Sequence, residues 1–188
     1  MKKERIYLYD STLRDGGQTS TINFSARDKQ KIAVELDKIG IDYIEGGWPG
    51  ANQTDNEFFS NLPTLNKAKF TAFGMTTRQS INAKDDKSLN NLISSNVRAV
   101  CIVGKSWDFH LKNALNITEE QNFSMISDSI SHIVKNDKEA IFDAEHFFDG
   151  YKSNSKFALS CLEHAYKSGA RWIVLCDTNG GSLPDEIY

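Results

Sequence analysis

The chain has 188 residues, 39% of them hydrophobic and 25% charged, with three prolines and a net charge of −3. That length supports one sizeable core rather than two, and the composition excludes a disordered or fibrous chain. Mild acidity, with the lysines mixed among acids, offers no basic stripe for nucleic acid, so small-molecule chemistry is the expectation.

The start, "MKKERIYLYD", passes from charge into an apolar run without the h-region of a signal peptide, and Arg5–Asp10 reads as a first strand. It breaks at "STLRDGGQ". After Ser25, the residues Ile32, Leu36 and Ile39 recur at helical spacing, and Gly40 supplies the stop. "IDYIEGG" from Ile41, "KFTAFGM" from Lys69 and "VRAVCIVG" from Val97 read as three further strands. Thr118 opens the capping signal "TEEQ", and Ile126, Ile130, Ile133 and Val134 then share one helical face. "AIFDAEH" from Ala140 is a fifth strand. "NSKFALSCLEHAYKSG" repeats the helical scheme with Phe157, Cys161, Leu162 and Ala165, ending at Gly169. "RWIVLCDTNGG" from Arg171 is a sixth strand, and "SLPDEIY" reads as the start of a sixth helix. Cys101, Cys161 and Cys176 sit inside apolar runs as core residues, which suits a reducing, cytoplasmic setting. No stretch of about 18 apolar residues predicts a membrane span.

Strands separated by helices predict right-handed βαβ units and a parallel sheet. Neither GxGxxG after the first strand nor GxxxxGK[ST] is found, which argues against a nucleotide-binding open sheet. Polar residues gather instead at the carboxyl ends of different strands: Arg14 and Asp15, Glu45, Thr76 and Thr77, Glu145 and His146, Asp177 and Thr178. This is the distribution of a (β/α)8 active face. The expected fold is therefore α/β, an incomplete TIM barrel with about six of eight βα units, and residues 1–188 would be the N-terminal part of one catalytic domain.

An Arg beside an Asp at a strand end is by itself most simply a salt bridge. Here Gly16 and Gly17 let the backbone approach a ligand, and a carboxylate is a suitable hard ligand for a divalent cation. An adjacent guanidinium could stabilise an oxygen on which negative charge develops.

"TLRDGGQ", "YIEGGWPG", "FDAEHFFDG" and "LCDTNGG", at the ends of strands one, two, five and six, together resemble the pyruvate carboxyltransferase (DRE-TIM metallolyase) superfamily. The resemblance covers essentially the whole chain and is nearest to the citramalate synthase and 2-isopropylmalate synthase branch. It implies a Claisen-type condensation of acetyl-CoA, as co-substrate, with a 2-oxo acid. Pyruvate, giving citramalate and CoA on a route to isoleucine, fits best. The resemblance makes Asp15 the ligand of a divalent metal, Mg²⁺ or Mn²⁺ with Zn²⁺ a further candidate. It makes Arg14 the stabiliser of the enolate or alkoxide oxygen, Glu145 the active-site carboxylate, Thr178 the hydroxyl on the substrate carboxylate, and Gln18 the glutamine near the metal. Glu45 would be a polar residue of the site or an anchor for Arg14, and Asp143 would line the substrate pocket from the same strand face as Glu145.

In that superfamily two further metal ligands come from an HxH motif on the seventh strand. His110, His132, His146 and His164 are scattered, so the 188 residues alone are expected to lack full activity. Alternatives within the superfamily are a hydroxy-oxo-acid aldolase or HMG-CoA lyase; outside it, a non-catalytic truncated barrel whose open strand edges favour association. The longer protein is expected to be a homodimer with small-molecule substrates. Strand alternation turns His146 away from the face of Glu145. Trp48 and Pro49 shape a loop, Asp10 braces one, Asp177 and Asn179 serve turn chemistry, and His110 and His132 carry no role.

Overall fold

Residues 5–187 are described in the computed structural model; the charged start of "MKKERIYLYD" and the last residue of "SLPDEIY" lie outside them. The strands are β1 Tyr9–Asp10, β2 Tyr43–Gly47, β3 Lys69–Met75, β4 Ala99–Lys105, β5 Glu139–Glu145 and β6 Trp172–Leu175. Hydrogen-bonded neighbours follow the chain order from β1 to β6. The pairs β1·β2, β2·β3 and β5·β6 are parallel. A doubly wound sheet reverses its order at a switch point, and this order never reverses. It is the α/β series of six βα units expected from the sequence.

The chain divides into two compact units, one with the residues up to Phe73 and Asn91–Val100, the other with Gly74–Asn90 and the residues from Cys101 onward. In the first, β1 is two residues long, not the six expected. Asp42 takes over the preceding backbone: its side chain accepts from Leu8 N at 3.0 Å and pairs with Arg5, while Leu8 O accepts from the amides of Asp42 and Tyr43. Ile6 and Leu8 consequently remain exposed.

Helix α1 (Ala26–Lys38) starts at a capping box in which Ser25 and Asp28 each satisfy the other's backbone amide. Its buried stripe is Ala26, Lys29, Ala33 and Asp37. The predicted face of Ile32, Leu36 and Ile39 is displaced: Ile32 and Leu36 are half-buried, and Ile39 is an exposed C-cap. Small residues allow α1 to pack closely on α2 (Gln53–Ser60) and β2, and Lys29, one of the two charges on the stripe, finds its partners there. Phe58, fully buried in α2, meets the rings of Phe59 and Phe70 edge-on at 5.4 and 5.6 Å.

In the second unit, Ile126, Ile130 and Ile133 of α5 (Glu119–Lys135) are fully buried, whereas Val134 is largely exposed. Thr118 and Gln121 close the predicted capping box. Against α5 packs α6 (Phe147–Lys167), interrupted at Asn154, whose φ of −148° and ψ of 81° are non-helical. The Asn154 side chain accepts from Phe157 N at 3.1 Å and so caps the second segment, where the sequence places a helix start. The turns before it, from Phe147, are helix as well.

Shorter helices are α3 (Lys87–Ser94), α4 (Asp108–His110), which runs on into a π turn at Leu111–Leu115, and α7 (Pro184–Ile187). Cys101 and Cys161 are buried, as expected of core residues, and Cys176 is half-buried. Burial pushes the Cys161 thiol far above its ordinary value. Among the described residues no helix is long and apolar enough to cross a membrane.

Asp37 ties α1 to the segment that leads into β3. Only 5% exposed, it accepts from the amides of Asn66, Lys67 and Ala68 at 2.8, 2.9 and 2.7 Å and from Asn66 Nδ2 at 3.2 Å. Burial works to raise its pKa, but the combined hydrogen bonds outweigh it and hold the carboxyl below its ordinary value. A depressed folded-state pKa means stability that is present above the unfolded value, about 3.9, and is lost as pH falls through the folded one. Asp37→Asn should therefore cost about 1–2 kcal/mol at neutral pH, and its deficit against the unmutated protein should shrink as the pH drops below about 4. Urea unfolding at pH 7 and in the acid range measures both; an equal deficit at both pH values would contradict the assignment.

Candidate active site

The residues singled out in the sequence fall in both units: Arg14, Asp15, Gln18 and Glu45 in the first, Asp143, Glu145 and Thr178 in the second. Each group is built from strand ends.

Beyond β1, Asp10 accepts from Thr12 N at 3.0 Å and Thr12 Oγ1 at 3.1 Å, bracing the turn as predicted. Ser11 O then gathers the amides of Arg14, Asp15 and Gly16 at 3.1, 2.8 and 3.3 Å, while Leu13 is anchored in the core. This tight turn fixes where the two charges point. Arg14 Nε donates to Glu45 Oε2 at 2.7 Å, and Nη1 donates to Asp15 Oδ1 at 3.1 Å. The guanidinium carbon lies 3.9 Å from the centroid of the Phe73 ring, a cation–π contact.

Glu45, fully buried in β2, also accepts from the Tyr9 hydroxyl at 2.6 Å. The anchoring role considered for Glu45 is thus realised. Asp15 differs sharply: its side chain is 64% exposed, so its carboxylate can reach a ligand from solvent.

Arg14 and Gln18 line one cavity of about 380 Å³, together with Phe24, Lys29, Trp48 and Phe73. Its floor depends on the glycines of "EGGWPG". Gly47 has φ +142°, and a Cβ there would lie 2.5 Å from Asp55 Cγ, so no other residue fits. Asp55 is buried, pairs with Lys29, and accepts from Trp48 N and Asn52 Nδ2, both at 2.9 Å. Lys29 Nζ also donates to Gly46 O at 2.9 Å. Trp48, turned by this network, meets Phe73 edge-on at 5.9 Å.

In the second unit, Glu145 ends β5 and pairs with Lys105, which ends β4. The backbone around that pair is clamped: Ser106 Oγ donates to Glu145 O at 2.7 Å, and Asn122 Nδ2 donates to Lys105 O at 3.0 Å. Asp143 is half-buried on β5, opposite Val174 of β6. Asp177 serves turn chemistry as expected, accepting from the amides of Gly181 and Ser182; the Ser182 amide, chiefly, holds its carboxyl below the ordinary value.

His146 departs from the alternation argument. Its φ of 54° is left-handed, so β5 ends before it and the side chain no longer follows the pleat. The imidazole Nδ1 lies 3.1 Å from Asp149 Oδ2, and the ring lies edge-on to His110 at 4.8 Å. Its amide donates to Thr178 Oγ1 at 2.9 Å. His110, set aside in the sequence, belongs to this cluster; burial first, then the charges of Lys105 and His146, lower its pKa. His132 remains structural, with Nε2 3.0 Å from Asn90 Oδ1.

Sequence reasoning missed Lys105, Phe73 and the Lys29–Asp55 pair. The signal for Lys29 and Asp37 was present, since they share a helical stripe with Ala26 and Ala33, but apolar residues were the only ones weighed. Lys105 lies two residues past Val103, the last apolar position of its strand, where no periodicity marks it.

The clusters predict distinct stabilities. Glu45→Ala, which leaves Arg14 without its buried counter-charge, should destabilise the protein by roughly 3–5 kcal/mol. Tyr9→Phe, which removes one hydrogen bond, should cost about 1 kcal/mol. Chemical denaturation of both variants checks the ranking; a Glu45→Ala protein as stable as Tyr9→Phe would show that the carboxylate does not organise the turn.

This geometry has counterparts in known proteins. The HMGL-like family profile matches residues 5–188. Over 187 residues the chain is 52% identical to the (R)-citramalate synthase of Aquifex aeolicus, covering 98% of this chain and 35% of that protein. It is 29% identical over 187 residues to 2-isopropylmalate synthase 1 of Caldanaerobacter subterraneus, covering 99% of this chain and 45% of that one. The chain thus spans about a third of the length of the citramalate synthase it matches. Among solved structures, the HMG-CoA lyase of Bacillus subtilis superposes with a TM-score of 0.79 at 13% identity, over 98% of this chain and 62% of that one, a likeness of fold.

Proposed function

Because the chain belongs to the HMGL-like family, we propose that it forms part of an enzyme that condenses acetyl-CoA with a 2-oxo acid. Pyruvate is the preferred acid and citramalate and CoA are the products. The observation that carries this reading is the Arg14 guanidinium, fixed by buried Glu45 and Phe73 and lining a cavity. The higher identity to a citramalate synthase than to a 2-isopropylmalate synthase favours pyruvate over a branched 2-oxo acid.

In this reading a base draws a proton from the acetyl methyl group, and the enolate carbon bonds to the keto carbon of the 2-oxo acid. The keto oxygen takes up the electron pair, and Arg14 meets its growing charge from a position fixed in advance. Protonation of that oxygen gives the hydroxyl, and water cleaves the thioester to the acid and free CoA. Thr178 holds the substrate carboxylate, Asp143 lines the substrate pocket from β5, and Glu45 acts through Arg14, which it anchors. Glu145, in its pair with Lys105, is the active-site carboxylate.

A divalent cation, Mg²⁺ or Mn²⁺ with Zn²⁺ a further candidate, would supply Lewis-acid polarisation of the keto oxygen when bound. The exposed Asp15 carboxylate fits such an ion as a hard oxygen ligand, with Gln18 nearby on the same turn.

The test is thiol release by the full-length protein that carries this chain, with acetyl-CoA and pyruvate, 2-oxoisovalerate or 2-oxoglutarate. Pyruvate should give the highest kcat/KM, and Arg14→Ala should lower it by about 10²–10³. Cleavage of a hydroxy acid without thiol release, or an Arg14→Ala enzyme at the unmutated rate, would overturn the reading.

A further inference from the structure

The turn between β5 and α6 holds a left-handed histidine whose strain is offset by contacts on both sides. Left-handed backbone is uncommon for a residue with a Cβ, and it persists where the surroundings determine it. At His146 the surroundings are Asp149 and the loop after β6. Asp149 Oδ2 lies 3.1 Å from His146 Nδ1 and accepts from Asn179 Nδ2 at 2.9 Å. A single carboxylate oxygen therefore joins the end of β5 to the residue that follows Thr178. Between those two points, the His146 amide donates to Thr178 Oγ1.

That last bond has a chemical consequence. A hydroxyl carries one proton, and an oxygen already engaged as acceptor by a backbone amide has that proton to give in another direction. We infer that Asp149 and His146 are positioning residues which aim the Thr178 hydroxyl as a donor at the carboxylate of the 2-oxo acid. The inference rests on the function proposed above for Thr178 and adds the device that orients it. His110, edge-on to the His146 ring at 4.8 Å, and Trp107, at 5.7 Å, limit the rotation of that ring.

The experiment uses the full-length protein and two independent readouts. Asp149→Leu removes the one oxygen that serves both Asn179 Nδ2 and His146 Nδ1. Deuterium exchange of a short peptide containing the His146 amide should accelerate by about tenfold or more. In kinetics, KM for the 2-oxo acid should rise about tenfold while KM for acetyl-CoA stays unchanged. Asp149→Asn, which can turn its amide oxygen to the same two partners, should keep both readouts near the unmutated values. In a Thr178→Val background, Asp149→Leu should add nothing to the KM effect, because the hydroxyl it positions is already gone.

Unchanged exchange in Asp149→Leu would overturn the inference, as would a loss that falls equally on kcat and both KM values and is as large in Asp149→Asn. Accelerated exchange in Asp149→Leu, absent from Asp149→Asn, in a protein that releases no thiol with any 2-oxo acid would leave the positioning intact and refute the substrate reading instead.

Discussion

The carboxylate of Glu45 is the constraint on which the first cluster depends. A fully buried carboxylate loses its hydration at a cost of several kcal/mol and persists only where hydrogen bonds and a counter-charge replace it. Tyr9 supplies one bond from β1, and Arg14 supplies another together with the charge. The dependence runs in both directions. Glu45 removes the freedom of a side chain with several rotatable bonds, and Phe73 beneath the guanidinium removes more. What results is a cation fixed before any substrate arrives, as electrostatic stabilisation of a developing oxyanion requires.

A second buried pair does comparable work on the backbone. Lys29 and Asp55 together engage Gly46 O, Trp48 N and the Asn52 side chain, so the chain leaving β2 cannot relax into a wider loop. Gly47 is required because the Asp55 carboxylate occupies the space of a side chain. Breaking a buried pair by removing one partner strands the other, which makes such pairs stronger constraints on geometry than sources of stability. The conformation of "EGGWPG" therefore originates in α1 and α2, outside the motif itself.

Much of this was legible in the sequence. All six strands, the capping box at Thr118 and the isoleucine face of α5 follow from apolar periodicity and local side-chain chemistry, which act over a few residues. Arg14 and Asp15 stood out because two glycines follow them at a strand end, where the backbone can approach a ligand. The misses share a physical origin. The buried face of α1 was misplaced because its charges are compensated by residues distant in the chain, and compensation leaves no periodic trace. β1 was drawn too long because an Asp42 side chain, not a strand, takes the amide of Leu8. His146 was assigned by strand alternation, which ends where the backbone turns left-handed, and no sequence period announces that turn.

The two clusters reach rigidity by different means, and the difference follows from where their charges sit. Glu45 is buried, so its bonds to Arg14 and Tyr9 operate with little screening and can hold a side chain by charge alone. Glu145 and Lys105 are about a quarter exposed, where water weakens the attraction between them. There the backbone does the holding: Ser106 and Asn122 fasten the strand ends, and the Asp149, His146 and Thr178 chain fastens the loops. Side chains at a solvated site are thus oriented through hydrogen bonds whose directionality survives water better than Coulomb attraction does. Arg14 can serve as a fixed charge, whereas in the proposed function Thr178 would serve as a directed donor. Each role suits the environment in which its residue is held.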